Sequence, residues 1–276
     1  MGSVAALFAP LHAAVARKNQ AGGFDVRHPW HHQLTANESD GLLDVEYRGE
    51  YELWFDDGPT VAILQDLLVL LASAAGAPTL RSFVYRTEAV LAANGTYPIV
   101  VDGLFAGDQP FPRLSLFALD QGQGEHGYKI LASARNGGDG FYDEAGVLAE
   151  LVARAPALQE LVTPSPPSGE FFQGRPHPLR SLDVDSGFGH ADFIRNLAGC
   201  SRFPQLRRLV FTDDRNRYLD DWNKRTTSFE DYVTFFGSTV ATRLESIRLR
   251  EVNLTSDQVR RLREMRSEGV EITVAQ

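Results

Sequence analysis

The chain has 276 residues, 43% of them hydrophobic, and a formal net charge of −9. These values are typical of a folded globular protein and exclude a disordered chain. The acidic balance argues against a nucleic-acid-binding protein, because such proteins present a basic surface to the phosphates. The single cysteine, Cys200, excludes an intrachain disulfide and fits a reducing compartment, so we expect a cytoplasmic protein.

The first 58 residues predict a helix followed by a β-hairpin. Residues 4–18 have the pattern of an amphipathic helix, and no cationic segment precedes their apolar run, as a signal peptide would require. Residues 42–58 alternate apolar and polar side chains around Arg48-Gly49-Glu50, which predicts a hairpin with glycine at its turn. We therefore divide the chain into an N-terminal unit, 1–58, and a second unit, 59–276.

The most apolar run of the sequence, residues 60–77, predicts a buried helix. It contains Gln65 and Asp66 and is short for a membrane span, so we expect no membrane as a partner. Farther along, residues 114–138 predict a second hairpin, in which 121–127 form a glycine-rich loop.

A short strand motif, L-x-x-L-x-V, recurs along the chain. In HPLRSLDVDS, residues 177–186, its apolar positions are Leu179, Leu182 and Val184. The other copies begin at Leu80, Leu114, Leu158, Leu206 and Leu244, and five of the six copies have a proline one or two residues before the first leucine. Unrelated strands would not share both features, so the motif indicates a repeat.

Helical patterns separate these strands. They cover residues 143–156, 190–204, 228–241 and 255–269. Ser228 and Asp231 are the expected first-turn residues of the third. Thr255 is the expected N-cap and Gly269 the expected C-cap of the last, and a final strand follows at 270–276.

A strand, a helix and a further parallel strand, repeated from residue 60 to 276, resemble the leucine-rich-repeat family in its ribonuclease-inhibitor-like, helix-containing form. The irregular spacing and the missing consensus asparagine are similar to divergent bacterial members. The resemblance implies an α/β fold: an irregular solenoid with parallel strands and outer helices, which the N-terminal helix and hairpin would cap.

A doubly wound α/β domain also alternates strands with helices. Its parallel strands are buried on both faces and are apolar throughout. In this chain Ser181, Asp183 and Asp185 alternate with the apolar positions of their strand. One face of the sheet is therefore expected to be polar, as in a solenoid.

Three polar clusters are candidates for chemistry. His28, His31 and His32 lack the spacing of a known zinc motif, so we interpret them as structural. Asp183-x-Asp185-x-Gly187 opens like a calcium loop, but Ile194 stands where that loop needs its last carboxylate, so no metal site is predicted.

The third cluster, residues 211–222, mixes acidic and basic side chains after a repeat strand. Such a loop is most often solvated, and its length relative to the other copies favours an insertion that contacts a partner. No catalytic signature or cofactor motif is recognisable, so we expect a non-enzymatic protein without cofactor or metal.

The outward side chains of neighbouring strands would grade from acidic to basic. Together with the loop after the Leu206 strand they form the predicted partner-binding set: Asp183, Asp185, Arg208, Asp213, Asp214, Tyr218, Trp222, Arg248 and Arg250. The resemblance implies a protein-binding module, and within that class an acidic chain of this size suggests an inhibitor or immunity protein that blocks a basic bacterial toxin or enzyme.

The alternative is an enzyme or a metal- or ligand-binding protein. Its site would use the carboxylates of Asp183, Asp185, Asp213 and Asp214, because paired carboxylates can perform acid–base chemistry or bind a cation.

Overall fold

The protein is an α/β fold built on a mostly parallel sheet. The computed structural model describes residues 4–21, 32–49, 63–87, 95–119, 127–133, 146–186, 191–213, 226–266 and 268–274. Within these ranges one sheet has nine strands and a second has two.

The strands of the large sheet are β1 (Gln33–Ser39), β2 (Leu42–Gly49), β3 (Leu80–Thr87), β5 (Leu116–Leu119), β7 (Glu160–Thr163), β8 (Ser181–Asp185), β9 (Arg208–Thr212), β10 (Ser246–Val252) and β11 (Val270–Val274). They lie side by side in chain order. Only β1 and β2 pair antiparallel; every other pair in this sheet is parallel. A doubly wound sheet reverses its strand order at a switch point, and the described strands contain no such reversal.

The helices of the described residues are α1 (Val4–Ala21), α2 (Ile63–Leu71), α3 (Val147–Arg154), α4 (Phe193–Ala198), α5 (Phe229–Phe236), α6 (Thr239–Arg243) and α7 (Ser256–Met265). Short 3₁₀ turns occupy Asp102–Phe105 and Gly169–Phe172. The N-cap predicted at Thr255 is confirmed, and Thr255 forms a capping box with Gln258. Ser228 is the N-cap of α5 and accepts a hydrogen bond from the amide of Asp231, which lies in the first turn as expected. Gly269 is not the cap of α7, because the helix ends at Met265 with Arg266 as its C-cap; Gly269 leads into β11 with a positive φ of 67°.

The repeated apolar positions line one face of the large sheet. Leu182 and Val184 of β8, like Leu209 and Phe211 of β9, are fully buried. They belong to one core cluster that also contains the buried faces of the helices. The strand predictions at all six repeat positions are confirmed, since a period of two residues places every second side chain in this core.

The predicted hairpin in residues 42–58 is wrong for the part that the structure describes. Residues 42–49 form the single strand β2, whose antiparallel partner is β1, across a turn at Asp40-Gly41. Asp40 and Gly41 both have positive φ, as a tight hairpin turn of this kind requires. Residues 50–62 lie outside the described ranges.

Gly49, taken as a turn residue, serves close packing instead. It is buried, and a Cβ at this position would stand 2.5 Å from the Tyr47 hydroxyl oxygen and 2.7 Å from Nδ1 of His32. β2, which ends at Gly49, also pairs in parallel with β3 along residues 43–49, so the first strands belong to the same sheet as the repeat strands. The division of the chain at residue 58 stays a prediction.

The predicted hairpin in residues 114–138 is also wrong. β5 belongs to the large sheet, whereas β6 (Gly127–Ala132) pairs in parallel with β4 (Gly95–Val100) in the small sheet. Gln65 of α2 holds the end of this small sheet: its side chain donates to the carbonyl oxygen of Val100 at 2.6 Å and accepts from the amide of Gly103 at 3.0 Å.

None of the described helices is both long and apolar enough to cross a membrane.

Candidate functional site

The face of the large sheet opposite the core carries polar and small apolar side chains in ordered rows. We call it the open face. Its members with exposed or half-buried side chains include Asp44, Glu46, Arg48, Ser82, Val84, Arg86, Leu116, Ala118, Glu160, Val162, Ser181, Asp183, Arg208, Ser246, Arg248 and Arg250. The strand register aligns them, so residues at the same height on successive strands are neighbours.

The middle row of the open face is apolar at its centre. Pairing of β3 with β5 places Val84 beside Ala118, and pairing of β5 with β7 places Ala118 beside Val162. All three side chains are half-buried. The row gives the open face a hydrophobic strip that sequence reasoning missed, although the alternation within each strand predicts its outward positions.

Charged side chains flank this apolar strip. On one side Glu46 and Arg86 form an ion pair at 2.7 Å. On the other side the register places Asp183 of β8 beside Val162, and Arg248 of β10 lies two strands beyond Asp183. Nε of Arg248 donates to the carboxylate of Glu271 at 2.6 Å. A small apolar centre with a charged border is the usual anatomy of a protein-binding surface.

The structure brings together only part of the predicted partner-binding set. Arg208 is exposed, and Asp183, Arg248 and Arg250 are half-buried on the open face. Asp185 is buried, with 6% of its surface exposed. Asp214, Tyr218 and Trp222 lie outside the described residues.

Three charges of the open face form no ion pair within the described part of the chain: Glu160, Arg208 and Arg250. They follow the predicted order, with the acid on β7 and the arginines on β9 and β10. Ser181 of β8 is the register partner of Glu160 on one side and of Arg208 on the other. The two unlike charges therefore lie at the same height, two strands apart. Both signs therefore remain available to a partner.

Asp213 must be removed from the predicted surface, because it is fully buried. Its carboxylate accepts hydrogen bonds from the Thr227 amide at 3.2 and 3.1 Å, from the Thr227 hydroxyl at 3.3 Å and from the Tyr232 hydroxyl at 2.9 Å. The residue anchors the segment before α5 to the end of β9. Both carboxylate oxygens accept hydrogen bonds from the protein itself, which explains how a charge tolerates this position.

The neighbours of Asp213 are buried as well. Thr212 is fully buried and Val210 almost so, although both are on the side of β9 that was predicted to be wet. The hydroxyl oxygens of Thr212 and Ser186 have no hydrogen-bond partner among the residues that the structure describes. The open face is thus accessible over β2, β3, β5, β7 and β10, over the first part of β8 and at Arg208, and closed at Asp185, Val210 and Thr212.

His32 is structural, as predicted for the histidine cluster; His28 and His31 lie outside the described residues. Its Nδ1 is 2.8 Å from the Tyr47 hydroxyl, and its backbone bonds twice to the side chain of Asn19, at 2.8 and 2.9 Å. Burial, and secondly the charge of Lys18, lower the pKa of His32 to about 4. The imidazole is therefore neutral at physiological pH and joins α1 to β2.

Among the described residues no three His, Cys, Asp or Glu side chains lie close enough to hold a metal ion. Cys200 is buried, and burial raises the pKa of its thiol. Its Sγ donates to the carbonyl oxygen of Phe172 at 3.6 Å. The cysteine packs as a small apolar side chain.

Comparison of the chain with models of protein families, with curated proteins and with solved structures gave no match.

Proposed function

We propose that this chain is a non-enzymatic protein-binding module, a leucine-rich-repeat-like solenoid that holds its partner on the open face of the large sheet. The observation that carries the proposal is the apolar strip of Val84, Ala118 and Val162 with charges on both sides. Strands laid side by side in chain order support the solenoid. Partner side chains of matching shape would bury the strip, and the charged border would fix their register.

Within this class we propose an inhibitor or immunity protein whose partner is a basic toxin or enzyme. The chain's net charge of −9 would attract a cationic protein over a distance of about a Debye length. Glu160 and Asp183 would receive cationic side chains, while Arg208 and Arg250 would exclude partners that lack acidic groups at the matching positions.

The test compares two valine-to-arginine variants as baits in the native host's lysate, with quantitative mass spectrometry. Val162→Arg places a long cation in the middle of the apolar strip. Val69→Arg makes the same change on α2, where the valine is 47% exposed. The buried residues of α2 belong to the core cluster, on the face of the sheet opposite the open face. Circular dichroism and thermal unfolding confirm that both baits are folded before use.

We expect wild-type protein and Val69→Arg to capture one partner in stoichiometric amount, and Val162→Arg to lose it. A double variant, Arg208→Glu with Arg250→Glu, should weaken capture and change its salt dependence, because it reverses two charges of the border. Neither arginine has an ion-pair partner among the described residues, so the change breaks no internal ion pair there. Equal capture by Val162→Arg would exclude the open face as the site. No stoichiometric partner for the wild-type bait would contradict the binding-module proposal itself.

A further inference from the structure

The two edge strands of the large sheet, β1 and β11, differ in their chemistry. In β1, Leu34 is buried, Ala36 is half-buried and the other side chains are polar and exposed. In β11, every second side chain is apolar. Large apolar side chains are exposed at Met265 of the last helix, by 45%, and at Val274 of β11, by 40%. A polar edge resists pairing with another chain, whereas an apolar edge favours it.

The backbone of β11 has hydrogen-bonding groups on its free side. Within the described residues its strand partner is β10 alone. The amide of Ile247 in β10 donates to the carbonyl oxygen of Gly269 at 2.7 Å, and successive residues of a strand point their backbone groups in opposite directions. The groups that face away from β10 are therefore those of Val270, Ile272 and Val274. The Ile272 carbonyl oxygen accepts from Nη2 of Arg263 at 3.2 Å and has a second lone pair for a further donor.

The apolar residues of β11 keep their positions when the strand is reversed. An antiparallel copy centred on Ile272 places Ile272 against itself and Val270 against Val274 of the second copy. The backbone groups of these residues face outward, so each pair would exchange two hydrogen bonds. Ile272 belongs to the core cluster, and the pairing would extend that core across the two-fold axis. β1 lacks this symmetry, because the same operation about its middle residue would set Glu38 against Leu34.

The charges of β11 are complementary in the same pairing. Glu271 is the one charged residue of the strand, and its carboxylate accepts from Nε of Arg248 in the same chain at 2.6 Å. In the two-fold register Glu271 stands opposite Thr273 of the second copy, and both side chains are exposed. A carboxylate therefore faces a hydroxyl donor instead of a second carboxylate, and Arg248 offsets the negative charge near the axis.

We propose that two copies of this chain associate through β11, in antiparallel register about a two-fold axis at Ile272. The two large sheets then form one continuous sheet. The axis is perpendicular to this sheet, so the two open faces point to the same side. The interface is isologous and closed, so it yields a dimer and no larger assembly. It lies at the edge of the sheet and does not depend on the proposed function.

The first measurement is the mass of the full chain in solution, by sedimentation equilibrium over a concentration series. We expect a reversible dimer of the wild-type protein and no larger species, because a two-fold interface uses the same edge of both copies. A protein that stays monomeric at every concentration would overturn the proposal. Growth beyond the dimer would overturn it as well.

Two variants of one exposed residue test the register by the sign of a charge. Thr273→Glu sets a carboxylate opposite Glu271 of the second copy, twice by symmetry, and should raise the dimer dissociation constant about tenfold. Thr273→Arg sets a cation there and should lower the constant. Gln33→Glu adds the same negative charge at the opposite edge, beside its register partner Arg48, and should leave the constant unchanged. Thermal unfolding confirms that each variant is folded. Equal constants for Thr273→Glu and Thr273→Arg would overturn the pairing.

A second measurement locates the two strands relative to each other. Val270→Cys and Val274→Cys are purified separately, then mixed and treated with a short bifunctional thiol reagent; Cys200 is buried. In the proposed register Val270 faces Val274 of the second copy, whereas identical positions of the two copies lie four residues apart, about 13 Å.

We expect a cross-linked dimer in the mixture, and none in either variant alone when the reagent is shorter than that distance. A mixture without cross-links would overturn the pairing, and so would equal cross-linking in a single variant.

Discussion

Two buried tyrosine hydroxyls, one near each end of the large sheet, form hydrogen bonds that hold other elements against the sheet. Their partners differ in charge. Tyr47 of β2 lies 2.8 Å from Nδ1 of His32, a neutral ring. Tyr232 of α5 donates to the carboxylate of Asp213 at 2.9 Å. The first we call the histidine anchor and the second the carboxylate anchor. Both keep a polar group out of water, but only the second buries a charge.

The histidine anchor is built from neutral hydrogen bonds and stacked rings. Asn19 of α1 binds both backbone groups of His32, and the rings of Tyr47 and Tyr85 stack with centres 5.7 Å apart. Each contact is modest, since a neutral hydrogen bond contributes about 1 kcal/mol. The anchor joins α1, β2 and β3 through several such contacts.

The carboxylate anchor concentrates its stability on one residue. Asp213 accepts from Thr227 and Tyr232, so three donors depend on a single side chain. Hydrogen bonds to a charged group are about twice as strong as neutral ones, and removing the charge leaves buried donors without acceptors. The comparison teaches that a buried charge makes an anchor stronger and also more sensitive to a single substitution.

The largest effect is expected for Asp213→Ala, which should lower the free energy of unfolding by about 3–5 kcal/mol because it strands the Thr227 and Tyr232 donors. Urea unfolding followed by circular dichroism measures this loss. Removal of an exposed carboxylate, in Glu160→Ala, is the control and should change stability by less than about 0.5 kcal/mol. A loss below about 1 kcal/mol for Asp213→Ala would show that the anchor is dispensable.

The second largest effect is a loss of folding stability at acidic pH, which we assign to His32. Burial in the folded chain holds the pKa of His32 at about 4, below the 6.5 that is usual for a histidine. Between these values the unfolded chain binds a proton that the folded chain does not, so the stability that neutral His32 contributes is complete above pH 6.5 and is lost as the pH falls toward 4. The loss is at most about 3.5 kcal/mol, at about 1.4 kcal/mol per pKa unit.

This prediction is checked as a difference between two proteins. Urea unfolding of wild type and His32→Gln, at neutral pH and near pH 4, should show a smaller acid-induced loss for the variant. Burial also lowers the pKa of His177, but that residue is present in both chains, and its effect cancels. Equal pH dependence in the two proteins would contradict the role assigned to His32. At the carboxylate anchor the sign is opposite: burial and Asp213 raise the pKa of Tyr232, so stability is lost in alkali.

The sequence was sufficient for the repeat strands and insufficient for the ends of the fold. Apolar residues such as Leu182 in β8 and Leu209 in β9 alternate with other side chains along their own strand, and they fill one core. This alternation alone predicts the repeat strands. The first hairpin was misplaced because Gly49 looks like a turn residue, whereas it makes room for Tyr47 and His32. The Asp40-Gly41 pair is a strong turn signal and would have given the correct hairpin.

The candidate site was predictable only in part. Alternation within strands places Asp183, Arg208 and Arg248 on one face, as the register confirms. No local pattern reveals that Asp213 turns inward, because its donors at Thr227 and Tyr232 lie 14 and 19 residues farther along the chain. A buried polar network depends on contacts between residues that are distant in sequence. The mixed charge of the segment after β9 therefore does not predict that Asp213 is buried.

The smallest losses of stability are expected when the tyrosine hydroxyl of either anchor is removed, and they compare the two anchors most directly. Tyr47→Phe and Tyr232→Phe each remove one hydroxyl and keep the ring. We expect a loss of about 1 kcal/mol for Tyr47→Phe, whose partner is neutral, and of about 1.5–3 kcal/mol for Tyr232→Phe, whose partner is a buried carboxylate. Urea unfolding of the two variants side by side measures the difference. If Tyr47→Phe cost as much as Tyr232→Phe, the charge of Asp213 would not set the strength of its anchor, and the number of hydrogen bonds at each site would be the better explanation.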